Sequence, residues 1–196
     1  RRVEQIHVSV GRQDRRVREI LSLASKKKVP VQRVPREALD RLAGGGIHQG
    51  VVARVSGSGP VSVEEILAAA GSRPFFLILD QVEDPRNLGA ILRTAAAARV
   101  DGVFLPPHGS ATLTPAVTRS SAGHSDKVRL AVAGNLVSLV EKLKEKGIWV
   151  VGLEAGARSH WTEFDYSLPL ALVLGGEGKG MRRLVREHCD ALVGIP

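Results

Sequence analysis

Asn87, Arg93 and Glu177 have the residue types and settings for chemistry on a phosphorylated or hydroxylated ligand. The first two lie in LDQVEDPRNLGAILRTA at 79–95, the third in LVLGGEGKGMRRL at 172–184. Each segment opens as an apolar run, breaks into a polar turn bearing Gly or Asn, and resumes with helical spacing. That order places backbone donors at the carboxyl edge of a parallel sheet, where α/β proteins hold ligands. Asp80 ends the first strand, and Glu83, Asp84 and Pro85 make the turn. Asn87 is the predicted N-cap of a helix over 88–99. Helical side chains lean over the residues three and four earlier, so Arg93 lies over Gly89 and Ala90. Its guanidinium reaches back toward Asn87 across a nearly bare patch, which suits bidentate phosphate recognition. In the plainer alternative, Asn87 only caps and Arg93 is a surface charge.

The run GGEGKG at 175–180 imitates a phosphate loop but fails its spacing. A Walker loop needs Ser or Thr after the lysine, and Lys179 is followed by Gly180. A dinucleotide fingerprint begun at Gly176 needs glycine where Met181 stands. Four glycines in six residues still mean unusual backbone angles or a close approach. Glu177, read as standing at a helix entrance, is open to three roles: partner of the helix dipole, shaper of the loop, or ligand for a hydroxyl or amine.

The elements that must position these residues alternate along the second half. FFLILD, GVFLP, IWVVGLE, PLALVLG and ALVGIP read as strands. Helices are expected over 87–99, 114–122, 135–146 and 181–188. Such alternation implies a parallel sheet covered on both faces. Residues 1–56 read as a separate small α/β unit, with Val17, Ile20, Leu21 and Ala24 at core spacing on its first helix. The GGG at 44–46 precedes His48 and Gln49, for which loop capping is the expected role. Residues 57–74 read as a linker enclosing a short helix capped by Ser62.

Charge is segregated. Residues 1–36 hold eleven Lys or Arg against three Asp or Glu, while residues 37–196 balance at seventeen of each. The whole formal charge of +8 therefore sits in the first fifth of the chain, a block suited to phosphate backbones. Aromatic residues make up only 4%, which argues against base stacking as the main mode of binding. One cysteine, Cys189, excludes a disulfide framework, and the six histidines show no metal-ligand spacing. The Cys189–His188 neighbours face different ways on a helix, so Cys189 reads as buried and inert. No apolar run approaches the roughly 20 residues of a membrane span. Trp149 and Trp161 read as core and packing residues.

DPRNLGAILRT at 84–94 and LGGEGKGMR at 174–182 together resemble the first and second motifs of the SpoU/TrmH family of RNA ribose 2′-O-methyltransferases, in the SPOUT class. HQGVVARV at 48–55 and MRRLVREHCD at 181–190 resemble the branch that methylates a guanosine ribose in large-subunit, 23S-type rRNA, bacterial or mitochondrial. The resemblance implies a SPOUT parallel sheet with a C-terminal trefoil knot, preceded by a ribosomal-protein-like RNA-binding domain over 1–56. It implies S-adenosylmethionine as cofactor, rRNA as partner, a homodimer with its active site near the subunit boundary, and a cytoplasmic or mitochondrial-matrix location. Carried over, Asn87, Arg93 and Glu177 are the active-site polar residues. Gly175 and Ile195 fall on cofactor positions, Leu174 lies beside Gly175, and Leu153 and Glu154 border the adenosyl pocket. Arg93 is expected either to activate the 2′-hydroxyl or to clamp phosphate. The family's third motif continues past Ile-Pro through Met, Gly and a Ser-Leu-Asn run, so the chain is expected to be a fragment of a longer one. Two other functions stand beside this one: a non-catalytic ribosome-assembly factor, and a transfer-RNA methyltransferase.

Overall fold

The computed structural model describes residues 3–44, 46–56 and 60–196. Arg1 and Arg2 of the basic block, Gly45 of the GGG run and positions 57–59 of the expected linker lie outside the described residues. The chain divides into two compact units, Arg1–Ser58 and Gly59–Pro196.

The first unit runs β1 (Val3–Ser9), α1 (Arg15–Lys26), β2 (Val31–Val34), α2 (Arg36–Leu42) and β3 (Val51–Val55). Its sheet has the order β2-β1-β3, with β2 parallel and β3 antiparallel to β1. Asp14 caps α1 by accepting from the Val17 amide at 3.2 Å. The predicted helix face holds: Val17 and Ala24 are buried with Ile6 and Val8, and Ile20 and Leu21 pack against them. The other face of α1 leaves Arg15, Arg16, Arg18 and Lys26 exposed. His48 does cap its loop. Its Nδ1 accepts from the Gly50 amide at 3.0 Å, so Nε2 carries the proton toward Asp40 at 2.8 Å.

The second unit runs α3 (Val63–Ala69), β4 (Phe75–Leu79), α4 (Pro85–Ala97), β5 (Gly102–Leu105), α5 (Pro115–Ser120), β6 (Leu130–Val132), α6 (Leu136–Glu145), β7 (Trp149–Leu153), β8 (Ser159–His160), β9 (Leu170–Leu174), α7 (Arg183–His188) and β10 (Ala191–Gly194). Its seven strands pair in parallel in the order β6-β5-β4-β9-β7-β10-β8. Successive residues of β4 serve opposite faces, as the pleat requires. Phe76 and Ile78 join α3, α6 and α7 in one core, and Leu77 and Leu79 join α4 and α5 in the other. An apolar residue at every position of β4 follows from cover on both sides.

Two sequence expectations change here. The stretch read as a linker is in part structural. Ser62 and Glu65 form a reciprocal capping box on α3, whose Ile66 is fully buried in the core. Val61 pairs with Ala131 beside β6. Trp149 and Trp161 are 44% and 43% exposed rather than buried, because Trp149 opens β7 at the sheet's amino edge, edge-on to Phe164 at 6.1 Å.

Candidate active site

The loop after β4 and the glycine loop after β9 meet, because β4 and β9 are neighbours in register from Phe75↔Leu170 to Leu79↔Leu174. Asp84, not Asn87, caps α4: its side chain accepts from the Arg86 amide at 2.7 Å, and Pro85 follows at the first helical position. Proline there forfeits only an amide that has no helical partner, so an Asp-Pro pair outcompetes a downstream Asn for the cap. Asn87 thus lies in the first turn with its amide free. It donates Nδ2–H to Glu177 Oε1 at 2.7 Å. The amide's orientation follows from its partner, since a carboxylate only accepts.

Glu177 is not at a helix entrance, because α7 begins only at Arg183. Residues 176–180 close on themselves as a small hairpin, with Gly176 and Gly180 exchanging amide–carbonyl bonds at 3.1 and 2.9 Å. Gly178 and Gly180 hold φ of 74° and 66°. The hairpin is fastened to the β4 loop at three further points. Gln81 Nε2 donates to the Gly180 carbonyl at 3.2 Å, and Lys179 Nζ to Glu83 Oε1 at 3.1 Å. Arg182 gives both its backbone amide and its Nε to Asp80, at 2.8 and 2.7 Å. Asp80 is fully buried. Between the two loops lies a cavity of about 450 Å³ bordered by Asn87, Ala90, Gly175, Glu177 and Lys179.

Arg93 is not brought into that group. It is exposed, makes no hydrogen bond or ion pair among the described residues, and does not border the cavity. Six residues of helix set it ~9 Å along the axis from Asn87. The bare patch beneath it has a different use. Gly89 is where α4 and α5 touch, and a Cβ there would stand 1.9 Å from Ser120 Oγ. Ala90 alone faces the cavity.

The remaining expected residues share the carboxyl edge. Leu174, Leu153 and Val193 sit side by side on β9, β7 and β10. One step further come Gly175, Glu154 and Gly194, and then Ile195, which is 65% exposed. Glu154 pairs with Arg186 at 3.4 Å.

Sequence reasoning missed Asp80, Gln81 and Arg182 as parts of the site. One signal was present: a carboxylate closing an otherwise apolar, doubly buried strand needs a partner. Arg182 ends the second motif, but nothing local named it as the partner of Asp80, 102 residues away.

Electrostatics at the rim follow the same contacts. The hydrogen bond from Arg86 holds the Asp84 carboxyl below its ordinary range. Asp84, with a smaller contribution from Glu177, raises the Arg86 guanidinium in turn. Burial pushes the Cys189 thiol up to about 11, and its Sγ–H faces the Val185 carbonyl at 3.3 Å. The sign is that of a thiol kept neutral, so iodoacetamide at pH 8 should alkylate native Cys189 at least ~100-fold more slowly than the unfolded chain. Intact-mass kinetics would show equal rates if the thiol were activated.

A model of the SpoU rRNA Methylase family matches residues 74–196, and one of RNA 2′-O ribose methyltransferase substrate binding matches residues 1–61. The 23S rRNA (guanosine-2′-O-)-methyltransferase RlmB of Pseudomonas putida is 45% identical over all of this chain and 80% of its own length. The putative TrmH family tRNA/rRNA methyltransferase YacO of Bacillus subtilis is 44% identical over 91% of this chain and 72% of its own. The fold matches that of AviRb from Streptomyces viridochromogenes, solved in complex with AdoMet, with a TM-score of 0.76 over 99% of this chain and 73% of that one, at 23% identity. Two motif loops fastened together over one cavity, and matches that span both units, lead to one statement: this chain belongs to the SpoU rRNA methylase family.

Proposed function

We propose that the chain methylates the ribose 2′-hydroxyl of a guanosine in 23S-type large-subunit rRNA, using S-adenosylmethionine. The observation that carries this reading is the Asn87–Glu177 hydrogen bond, which joins the two family motifs at one cavity. The choice of substrate is supported by the relatives named for that reaction at 45% and 44% identity over the whole chain. Because those relatives are bacterial, the reading makes the protein a cytoplasmic one.

The strand ends fit the cofactor. Of the three residues that lie level with one another at the ends of β9, β7 and β10, two are glycines, Gly175 and Gly194, and Leu174, Leu153 and exposed Ile195 border them. Backbone amides and carbonyls at the strand ends, edged by apolar side chains, suit a flat heterocycle with hydrogen-bonding rims. Gly175, Leu174, Leu153, Glu154 and Ile195 would hold it. S-adenosylmethionine supplies a methyl group already activated by its sulfonium.

The chain's own part is the acceptor. With Nδ2 committed to Glu177, Asn87 keeps Oδ1 free to accept from a ribose hydroxyl and orient its oxygen. Glu177 fixes that orientation while its hairpin walls the cavity. Arg93 supplies the positive charge that stabilises the forming alkoxide or clamps the adjoining phosphate. A guanidinium rarely releases its proton, since its ordinary pKa is roughly 12.5–13.8, so the charge role is the simpler one.

The trefoil knot belongs to this reading. It is supported by β10, which pairs with β7 on one side and β8 on the other although only residues 154–158 join those two strands. A Cβ at Gly194 would make ordinary van der Waals contact, at 3.4 Å, with the Ala157 and Glu154 carbonyl oxygens, so the chain end runs alongside that bend. The homodimer is supported by Arg93, which has no partner among the described residues, lies outside its own chain's cavity and is available to another's.

Transfer of labelled methyl to unmodified 23S rRNA, with transfer RNA as comparison, tests the reaction. Arg93→Ala should lower kcat at least tenfold, and Arg93→Lys should retain more activity. If Arg93 serves the partner's cavity, mixing the impaired Arg93→Ala and Asn87→Ala proteins raises methylation above that of either alone. A mixture no more active than its components removes that arrangement.

A further inference from the structure

The geometry points to a second RNA subsite: a cavity on the same carboxyl rim, on the opposite face of the sheet, that takes nucleotides adjoining the methylated one. It rests on the methyltransferase reading for the identity of its ligand, and on its own lining for everything else.

The cavity has a volume of about 550 Å³ and lies between the loop after β5, the start of α6 and the start of α7. Its floor is apolar. Pro106 is buried, Pro107 is exposed, and Leu184 is 51% exposed although it sits in the mouth of a cavity. Two guanidinium groups, Arg182 and Arg183, and the imidazole of His108 line it, and no Asp or Glu does among the described residues. The Asn87–Glu177 cavity has the opposite balance, with Glu83, Asp84 and Glu177 against Lys179. Glu83 and Asp84 are answered there by Lys179 and Arg86, which leaves Glu177 facing that cavity. The subsite instead presents guanidinium groups that can turn to phosphate, so a polyanion is better received by the subsite. The site that must orient the ribose is therefore poorly equipped to recruit the strand that carries it, and its neighbour is equipped to do so.

The donors are available. Arg182 commits its amide and Nε to Asp80, which fixes the stem, while its terminal nitrogens have no partner among the described residues. Arg183 pairs with Glu187 at 2.7 Å, but the two side chains are 69% and 45% exposed, and such a pair yields readily to phosphate. His108 is exposed and has no side-chain partner among the described residues. Asn135, by contrast, is occupied in capping α6 through the Val137 amide at 2.8 Å. Two proline rings and a leucine beside guanidinium groups suit a base resting on an apolar surface with its phosphate at the rim.

The two cavities are close enough to share one strand. Lys179 borders one and Arg182 the other, three residues apart, so their Cα atoms are separated by at most about 11 Å. Stacked nucleotides advance about 3.4 Å each, so about three bridge the gap.

The test reads RNA binding apart from methyl transfer. Arg183→Glu and His108→Glu are made in the full chain, and Kd for unmodified 23S rRNA transcript is measured without cofactor across a salt series. Each should raise Kd at least tenfold and flatten the salt dependence, with S-adenosylmethionine affinity unchanged. Lys146→Glu, at the far end of α6 and ~15 Å away along its axis, controls for net charge and should change Kd less than twofold. Irradiated 4-thiouridine transcript should crosslink to peptides containing 106–108 or 183–184. Affinity within twofold of wild type for both reversals overturns the subsite, as does a loss matched by Lys146→Glu. A wild-type protein that binds RNA through these residues yet transfers no methyl group would instead condemn the methyltransferase reading and leave the subsite standing.

Discussion

Gly176→Ala is expected to lower kcat by more than 100-fold and to destabilise the second unit by about 1–3 kcal/mol, the range for forcing an extra methyl into a packed site. A Cβ at this position would stand 2.0 Å from the Gln81 carbonyl oxygen and 2.8 Å from its carbonyl carbon, so the obstruction is backbone and not a side chain that can swing away. Neither partner can retreat cheaply. Gln81 already holds a φ of 61°, its amide side chain is tied to Gly180, and the preceding Asp80 is tied to Arg182. Relief therefore comes by parting the two loops, which pulls Glu177 from Asn87. In a domain of this size the destabilisation lowers Tm by roughly 2–4 °C per kcal/mol. Gly178→Ala separates obstruction from backbone strain, since nothing lies within 4 Å of its Cβ and only the φ of 74° is unfavourable. It should cost about 1–2 kcal/mol in strain and keep most of the turnover. Calorimetry and single-turnover methylation would refute the packing argument if the alanine at 176 melted and reacted like wild type.

That contrast shows which part of the site the sequence could carry. The glycine run announced a close approach or unusual angles, and the structure divides those meanings between neighbours: Gly176 is close, Gly178 and Gly180 are left-handed. The alternation of strands and helices was legible because a strand that is apolar at every position, as β4 is, must be covered on both faces. What one face of a helix does was less legible. Gly89 read as ligand space and is helix-packing space, because a glycine pattern does not say which neighbour comes near. Asn87 read as a cap because single-residue preferences ignored the Asp-Pro pair upstream. The first motif names Arg93, but side-chain direction along a helix does not bring a guanidinium across six residues to a partner. The two motifs gave Asn87 and Glu177 as site residues, but nothing local could show that they bond to each other across 90 positions of sequence.

The same limit hid the contact whose removal should be costliest to stability. Arg182→Ala is expected to destabilise the second unit by about 3–5 kcal/mol, the range for stranding one member of a buried ion pair. Asp80 is fully buried and would keep only the backbone amide of residue 182, with its charge otherwise uncompensated. Asp80→Ala should cost less, about 1–3 kcal/mol, because the released guanidinium is 47% exposed and can turn to water. Both changes remove the Nε–Oδ1 bond, and Asp80→Ala also deprives the Arg182 amide of its acceptor, so the asymmetry rests on burial outweighing that second loss. The double variant should be less destabilised than the sum of the singles, because an empty, uncharged site no longer strands a charge. Activity should follow a different order from stability. Both single changes loosen the tie between the end of the glycine hairpin and the end of β4, which Gln81 and Lys179 continue to hold, so both should depress kcat even where the protein remains folded at the assay temperature. Urea titrations of the three variants decide the point: equal costs for the two singles, or strict additivity in the double, would mean that the pair is solvated in solution and does not anchor the hairpin.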